Sequence, residues 1–158
     1  MLIDITIEYD AWSKLDGLKN QIKTAAQAAV FERKDDFKSR AELSILLTSD
    51  EVIRQLNATY RGQDKPTNVL SFGGEPEAWS QNRNFLLGDI VLGYQTIKTE
   101  AEQQQKNINN HVSHLIVHGV LHLLGYDHRD DESADDMERI EINILKGIGI
   151  ENPYSHLH

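Results

Sequence analysis

The chain has 158 residues, a net charge of −9 from 16 basic and 25 acidic residues, and no cysteine. This length fits one domain with its own hydrophobic core. The lack of cysteine excludes disulfides and thiolate chemistry, so any metal must be held by His, Asp or Glu. The acidic balance by itself does not favour nucleic acid as a partner, because phosphate binding usually leaves a basic footprint.

The first third of the chain mixes strand and helix patterns. Isoleucines at every second position predict a strand over residues 2–8, and apolar residues at helical spacing predict a helix over residues 15–32. A second alternating run predicts a strand over residues 43–47. Thr48 followed by Glu51 is typical of a capping box, which predicts that the next helix begins there.

The remainder adds two short strands and then three helices. Apolar runs predict strands over residues 69–72 and 89–92, separated by a polar, irregular segment. Helical spacing then predicts helices over residues 94–105, 109–124 and 132–146. Strands and helices do not alternate strictly, so the expected fold class is α+β, with one mixed β-sheet of about four strands covered by about five helices.

No internal repeat or Pro/Gly/Ser linker divides the sequence, so we expect a single domain over residues 1–158. The first residues, MLIDITIEYD, lack the basic and apolar regions of a signal peptide. No apolar run is long enough to span a bilayer. These features predict a soluble, cytoplasmic protein with no membrane partner.

The most informative segment is HVSHLIVHGVLHLLGYDH, residues 111–128. Its helix is apolar nearly all round, which predicts that it is buried. Four histidines at spacings of three and four share one stripe of this helix: His111, His114, His118 and His122. We expect the first two to be surface residues or to support the ligands rather than to bind metal themselves.

His118 and His122 are one turn apart, so their imidazoles can converge on one ion. Gly125 follows where a helix ends in a left-handed turn, which can bring His128 back towards them. Three neutral nitrogens with one open tetrahedral position are typical of catalytic zinc sites. The spacing therefore predicts one Zn²⁺ per chain and hydrolytic chemistry, although imidazoles also suit copper, nickel and iron.

The same spacing resembles that of the metzincin proteases, in which a glutamate after the first histidine acts as general base. Gly119 occupies that position here, so the usual proteolytic mechanism is not available. Asp127 could instead polarise a histidine or a water. A metalloprotease-like or other metal-dependent hydrolase is the alternative function. A non-catalytic binding module stapled by zinc is a third, which the open metal position disfavours.

A second polar segment carries Arg61, whose planar fork of donors suits phosphate, and Lys65. With both segments in view, the chain resembles the YbeY family of bacterial endoribonucleases, also called rRNA maturation factors. Three blocks carry the resemblance: TYRGQDKPTNVLSF at 59–72, LLGDIVL at 86–92 and HGVLHLLGYDH at 118–128. The chain departs from the usual family pattern at Asn68, where aspartate is common, and at Gly73, where proline is common.

The resemblance implies zinc at His118, His122 and His128 and a functional role for Arg61. It also implies cleavage of single-stranded RNA, in maturation of the 3′ end of 16S rRNA and in ribosome quality control. The implied partners are the 16S rRNA precursor, the small ribosomal subunit and ribosome-associated proteins. We expect Arg61 to be catalytic by stabilising charge on the phosphate oxygens, which requires it to lie across the cleft from the metal. Because the chain is acidic, either a basic cleft lies within an acidic shell or a partner delivers the RNA.

Overall fold

The computed structural model describes residues 1–32, 37–126 and 131–154 and contains a four-stranded sheet. Its strands are β1 (Leu2–Ile7), β2 (Ala41–Thr48), β3 (Val69–Gly73) and β4 (Phe85–Gly93). In the order β1-β2-β4-β3, β2 pairs in parallel with both β1 and β4, whereas β3 pairs antiparallel with β4. The predicted mixed sheet of an α+β fold is therefore confirmed.

Six helices accompany the sheet within the described residues. They are α1 (Leu18–Val30), α2 (Phe37–Arg40), α3 (Asp50–Arg61), α4 (Tyr94–Gln103), α5 (Ile108–Leu123) and α6 (Asp131–Gly147). The five predicted helices correspond to all of these except α2, whose single turn is too short to produce a helical period. Among the described residues, no helix combines the length and apolar character needed to cross a membrane.

The helices cover the two faces of the sheet unequally. The alternating residues Leu43, Ile45 and Leu47 of β2 join the main core together with α1 and α5. The opposite face packs on α3 through a smaller cluster that includes Ile53 and Val91. Because sheet and helices surround α5, nearly all of its side chains are buried, as the sequence predicts.

Two glycines allow α5 to lie close against the sheet. A Cβ atom at Gly119 would lie 3.0 Å from Ile90 Cδ1 and 3.1 Å from Ser71 Oγ. On β4, a Cβ atom at Gly88 would lie 2.7 Å from Leu123 Cδ2. The helix that carries the histidines is thus fixed against β3 and β4 by contacts that larger side chains would obstruct.

The predicted capping box is wrong in its detail. Ser49 is the N-cap of α3, and its side chain accepts a hydrogen bond from the Val52 N–H at 3.4 Å. Thr48 is the last residue of β2, and its buried hydroxyl donates to the Glu8 carboxylate at 2.9 Å. Strand pairing extends through Thr48, so the helix begins one residue later than the sequence pattern indicates.

Candidate metal centre

Helix α5 places His118 and His122 one turn apart near its C-terminal end. The His118 side chain is 29% exposed and His122, in the last turn, is exposed. Gly125 follows with a φ of 104°, which confirms the predicted turn of positive φ. His128 and Asp127 lie outside the described residues. Within the described part of the chain, no three or more His, Cys, Asp or Glu side chains are arranged so that together they could hold a metal ion.

His118 is held by a buried carboxylate on α6. The Nδ1 atom of His118 lies 2.7 Å from Oε1 of Glu141, a residue that is only 1% exposed. The other carboxylate oxygen, Oε2, lies 2.7 Å from Nε2 of His114 and accepts a hydrogen bond from the Tyr154 hydroxyl at 2.6 Å. Glu141 therefore joins two histidines of α5 to a tyrosine that follows α6.

The electrostatics of this cluster favour an ionised Glu141 carboxylate. Burial alone would raise the pKa of Glu141, but its hydrogen bonds to His114 and His118 dominate and lower the pKa to about 2. Burial lowers the pKa of His114. Burial and the hydrogen bond to Glu141 raise the pKa of Tyr154 well above its usual range, so the phenol stays protonated. At neutral pH all three partners are donors and the carboxylate accepts from each.

This arrangement suits a metal ligand. An ionised carboxylate can only accept hydrogen bonds, so Nδ1 of His118 carries the proton and Nε2 carries the lone pair. Metal-binding histidines commonly donate their other ring N–H to a carboxylate, which fixes the tautomer and the ring orientation. The residues present thus fit a divalent transition metal bound through Nε2 of His118, with His122 one turn away.

Arg61 is the last residue of α3, and its side chain reaches β3, the outermost strand on that side of the described sheet. Its guanidinium donates to the Ser71 carbonyl at 2.6 Å, and its central carbon lies 4.9 Å from the centre of the Phe72 ring. The hydroxyl of Ser71 in turn faces Gly119, the residue after His118. Arg61 is therefore connected to the histidine helix through a single residue of β3.

The other histidine of the stripe, His111, has a separate buried partner. It is 4% exposed, and its Nε2 lies 2.9 Å from Oε1 of Glu100 on α4. Asn68 donates to the same oxygen at 3.0 Å. An ionised aspartate at position 68 could not make this donation to Glu100. His111 and His114 are thus buried rather than on the surface.

Sequence reasoning missed two residues of this site. In the sequence, Glu141 is one of many acidic residues in the C-terminal segment, and no motif includes Tyr154. The available signal was that Glu141 lies on the same stripe of α6 as the buried Met137 and Leu145. A carboxylate on an apolar helical stripe requires a buried partner.

Comparison with known proteins identifies related sequences over nearly the whole chain. The family model described as Endoribonuclease YbeY matches residues 6–149. A protein of that name from Rhodopseudomonas palustris is 44% identical over 153 residues, which cover 96% of this chain and 80% of the relative. Its counterpart from Sinorhizobium medicae is 41% identical over 160 residues, covering 98% and 95% of the two chains.

One solved structure supports the fold alone. The solution structure of a Thermotoga maritima protein superposes with a TM-score of 0.60 at 24% sequence identity, and the match covers 93% of this chain and 89% of that one.

Proposed function

Because the chain belongs to the YbeY family, we propose that it is a zinc-dependent endoribonuclease that cleaves single-stranded RNA. The names of the relatives support RNA as the substrate. The observation that carries the metal-dependent part is the 2.7 Å contact between His118 Nδ1 and the buried Glu141 carboxylate. That contact orients Nε2 as a ligand one turn away from a second histidine.

His118, His122 and His128 would hold the zinc. When bound, the ion would lower the pKa of a coordinated water and polarise a phosphoryl oxygen. On the protein side, Glu141 keeps the proton of His118 on Nδ1, and the tight packing at Gly119 keeps the ligand-bearing helix against the sheet.

Arg61 is the proposed catalytic residue for phosphate. Its guanidinium is positioned by the Ser71 carbonyl and the Phe72 ring, so it loses little conformational entropy when it meets an anion. Its remaining N–H donors would stabilise the charge that grows on the phosphate oxygens in the transition state. This role requires RNA to lie across β3 between Arg61 and the histidine helix.

The proposed cellular role is maturation of the 3′ end of 16S rRNA and ribosome quality control in the cytoplasm. The family resemblance supports this assignment. The net charge of −9 further favours substrate delivery by a partner, because an acidic protein binds RNA weakly on its own. The small ribosomal subunit and its associated proteins are the proposed partners.

The metalloprotease alternative is disfavoured by the packing around Gly119. A Cβ atom there would lie 3.0 Å from Ile90 Cδ1 and 3.1 Å from Ser71 Oγ, so a glutamate beside His118 would require these neighbours or the helix to shift. The relatives are also named as endoribonucleases rather than proteases. A non-catalytic binding module is also disfavoured, because the names of the relatives describe an enzyme.

Metal content and RNA cleavage measured together test the proposal. We expect about one zinc per chain in the wild type by plasma mass spectrometry, and none in His118→Ala. His111→Gln is the matched control, because His111 lies on the same stripe but pairs with Glu100. Only the zinc-loaded wild type and the control should cleave a labelled single-stranded RNA. A zinc-free wild type that cannot be reconstituted, or equal cleavage by His118→Ala, would refute the proposal.

A further inference from the structure

The chain segment after α6 folds back onto the histidine helix. Gly149, with a φ of 85°, lies two residues after the end of α6, and the Lys106 ammonium donates to the Pro153 carbonyl at 2.7 Å. The Tyr154 N–H donates to the Asn152 side chain at 2.8 Å. These contacts place the Tyr154 ring beside α5 rather than in solvent.

Tyr154 meets the buried cluster at its centre. Its hydroxyl donates to Oε2 of Glu141 at 2.6 Å and lies 3.2 Å from Nε2 of His114. Its ring packs edge-on against the His114 ring, with centroids 5.2 Å apart. The hydroxyl thus provides one of three donors to a carboxylate that is 1% exposed.

We propose that Tyr154 is a positioning residue for the metal ligand His118, acting through Glu141. The inference rests on the proposed function for the identity of the ligand, but its geometry is independent of activity. Two donors, from Tyr154 and His114, hold Oε2, which fixes the plane of the carboxylate. Oε1 is then aimed at Nδ1 of His118, which leaves Nε2 as the ring nitrogen that would bind a metal.

Loss of the phenol hydroxyl should release this constraint. A buried carboxylate that loses a donor rotates to recover one, because an unsatisfied buried charge is costly. The carboxylate then competes less well for Nδ1 of His118, and the ring samples its other tautomer and other orientations. If Tyr154 only held the C-terminal segment in place, its substitution would lower the stability of the protein but would not change the tautomer of the His118 imidazole.

Zinc affinity of Tyr154→Phe, measured by competition with a chromophoric chelator, is the first test. We expect an affinity about tenfold weaker than that of the wild type, at the low end of the range for residues that orient ligands. Tyr94→Phe is the matched control and should keep wild-type affinity. The Tyr94 ring packs on Trp12, and its hydroxyl makes no hydrogen bond among the residues that the structure describes.

A double-mutant cycle separates the proposed route from a general loss of stability. Glu141→Gln alone should weaken zinc binding, and adding Tyr154→Phe should weaken it little further, because the tyrosine acts through that carboxylate. If the two effects are additive on a logarithmic scale, Tyr154 does not act through Glu141 and the proposal fails. Thermal unfolding of the metal-free proteins reports any structural loss separately.

Imidazole nitrogen chemical shifts of the metal-free protein provide a readout that needs no zinc. Wild-type His118 should be predominantly protonated at Nδ1, and Tyr154→Phe should shift the population towards the Nε2 tautomer. If wild type binds zinc but Tyr154→Phe matches it in affinity and tautomer, the positioning role is overturned and the proposed function stands. If wild type binds no zinc but the tautomer shifts as expected, the positioning role stands and zinc dependence fails.

Discussion

Gly119 offers a direct test of how tightly the histidine helix packs on the sheet. Gly119→Ala would place a methyl group 3.0 Å from Ile90 Cδ1 and 3.1 Å from Ser71 Oγ, closer than ordinary van der Waals contact. Alanine in a helix interior gains about 1 kcal/mol over glycine. Overpacking of a buried site costs about 1–3 kcal/mol. We expect the packing cost to dominate and the free energy of unfolding to fall by about 1 kcal/mol.

A second substitution identifies the clash as the cause. Ile90 is fully buried, so Ile90→Val alone should destabilise by about 1 kcal/mol. In the Gly119→Ala background, the same change removes the Cδ1 atom that the new methyl group meets. The double variant should therefore be more stable than the sum of the single losses by about 1 kcal/mol.

The free energy of unfolding is measured for wild type, the two single variants and the double variant by urea titration at 25 °C, followed by circular dichroism. A chelator in the buffer removes any contribution from metal. Ile53→Val is the matched control, because Ile53 is equally buried but lies in the cluster on the opposite face of the sheet. Its effect on the free energy of unfolding should add to that of Gly119→Ala to within about 0.5 kcal/mol. Additivity of Ile90→Val as well would refute the packing argument.

Three further changes test other parts of the structure. The unfolded Glu141 carboxyl binds a proton below its ordinary pKa of 4.5 whereas the folded one stays ionised to about 2. Wild type should therefore lose up to about 3 kcal/mol as the pH falls through this window. Glu141→Gln should show a flatter dependence of urea midpoint on pH, and an equal slope would contradict this. Arg61→Lys keeps the charge but loses the planar fork, so RNA cleavage should fall about 100-fold at unchanged zinc content; unchanged cleavage would remove Arg61 from the mechanism. Asn57→Ala removes the buried amide that donates to the Lys65 carbonyl at 2.9 Å. The free energy of unfolding in urea titrations should fall by about 1 kcal/mol. No change would mean that water replaces the amide.

The sequence predicts the strands best where one face of the sheet is more buried than the other. Alternation in β1 and β2 reports that asymmetry directly. The sequence pattern finds only residues 89–92 of β4, although the strand extends from Phe85 to Gly93. Most of β4 is buried without alternation, Gly88 interrupts its apolar run, and the register shifts opposite Glu42 and Leu43. Local periodicity cannot detect a strand of this kind.

Some residues of the candidate site can be found from local sequence spacing, whereas others are brought there only by long-range packing. His118 and His122 are found from the sequence because one turn of helix brings them together. Glu141, the partner of His118, is 23 residues away from it and is positioned by the packing of α6 on α5. Tyr154 requires in addition the fold of the segment after α6. No spacing rule connects these elements, so the supporting half of the site appears only in three dimensions.

Because the Glu141 carboxylate is buried, we expect substitutions of Glu141 or its hydrogen-bond donors to be poorly tolerated. Removing a charge such as that of Glu141 from water costs several kcal/mol unless hydrogen bonds replace its solvation. Three donors from α5 and from the segment after α6 provide that replacement. Each donor therefore contributes to the stability of the fold as well as to the orientation of His118, so both depend on the same contacts. Substitutions within this cluster should accordingly lower both together, whereas a change at Arg61, exposed at the edge of the sheet, should alter activity alone.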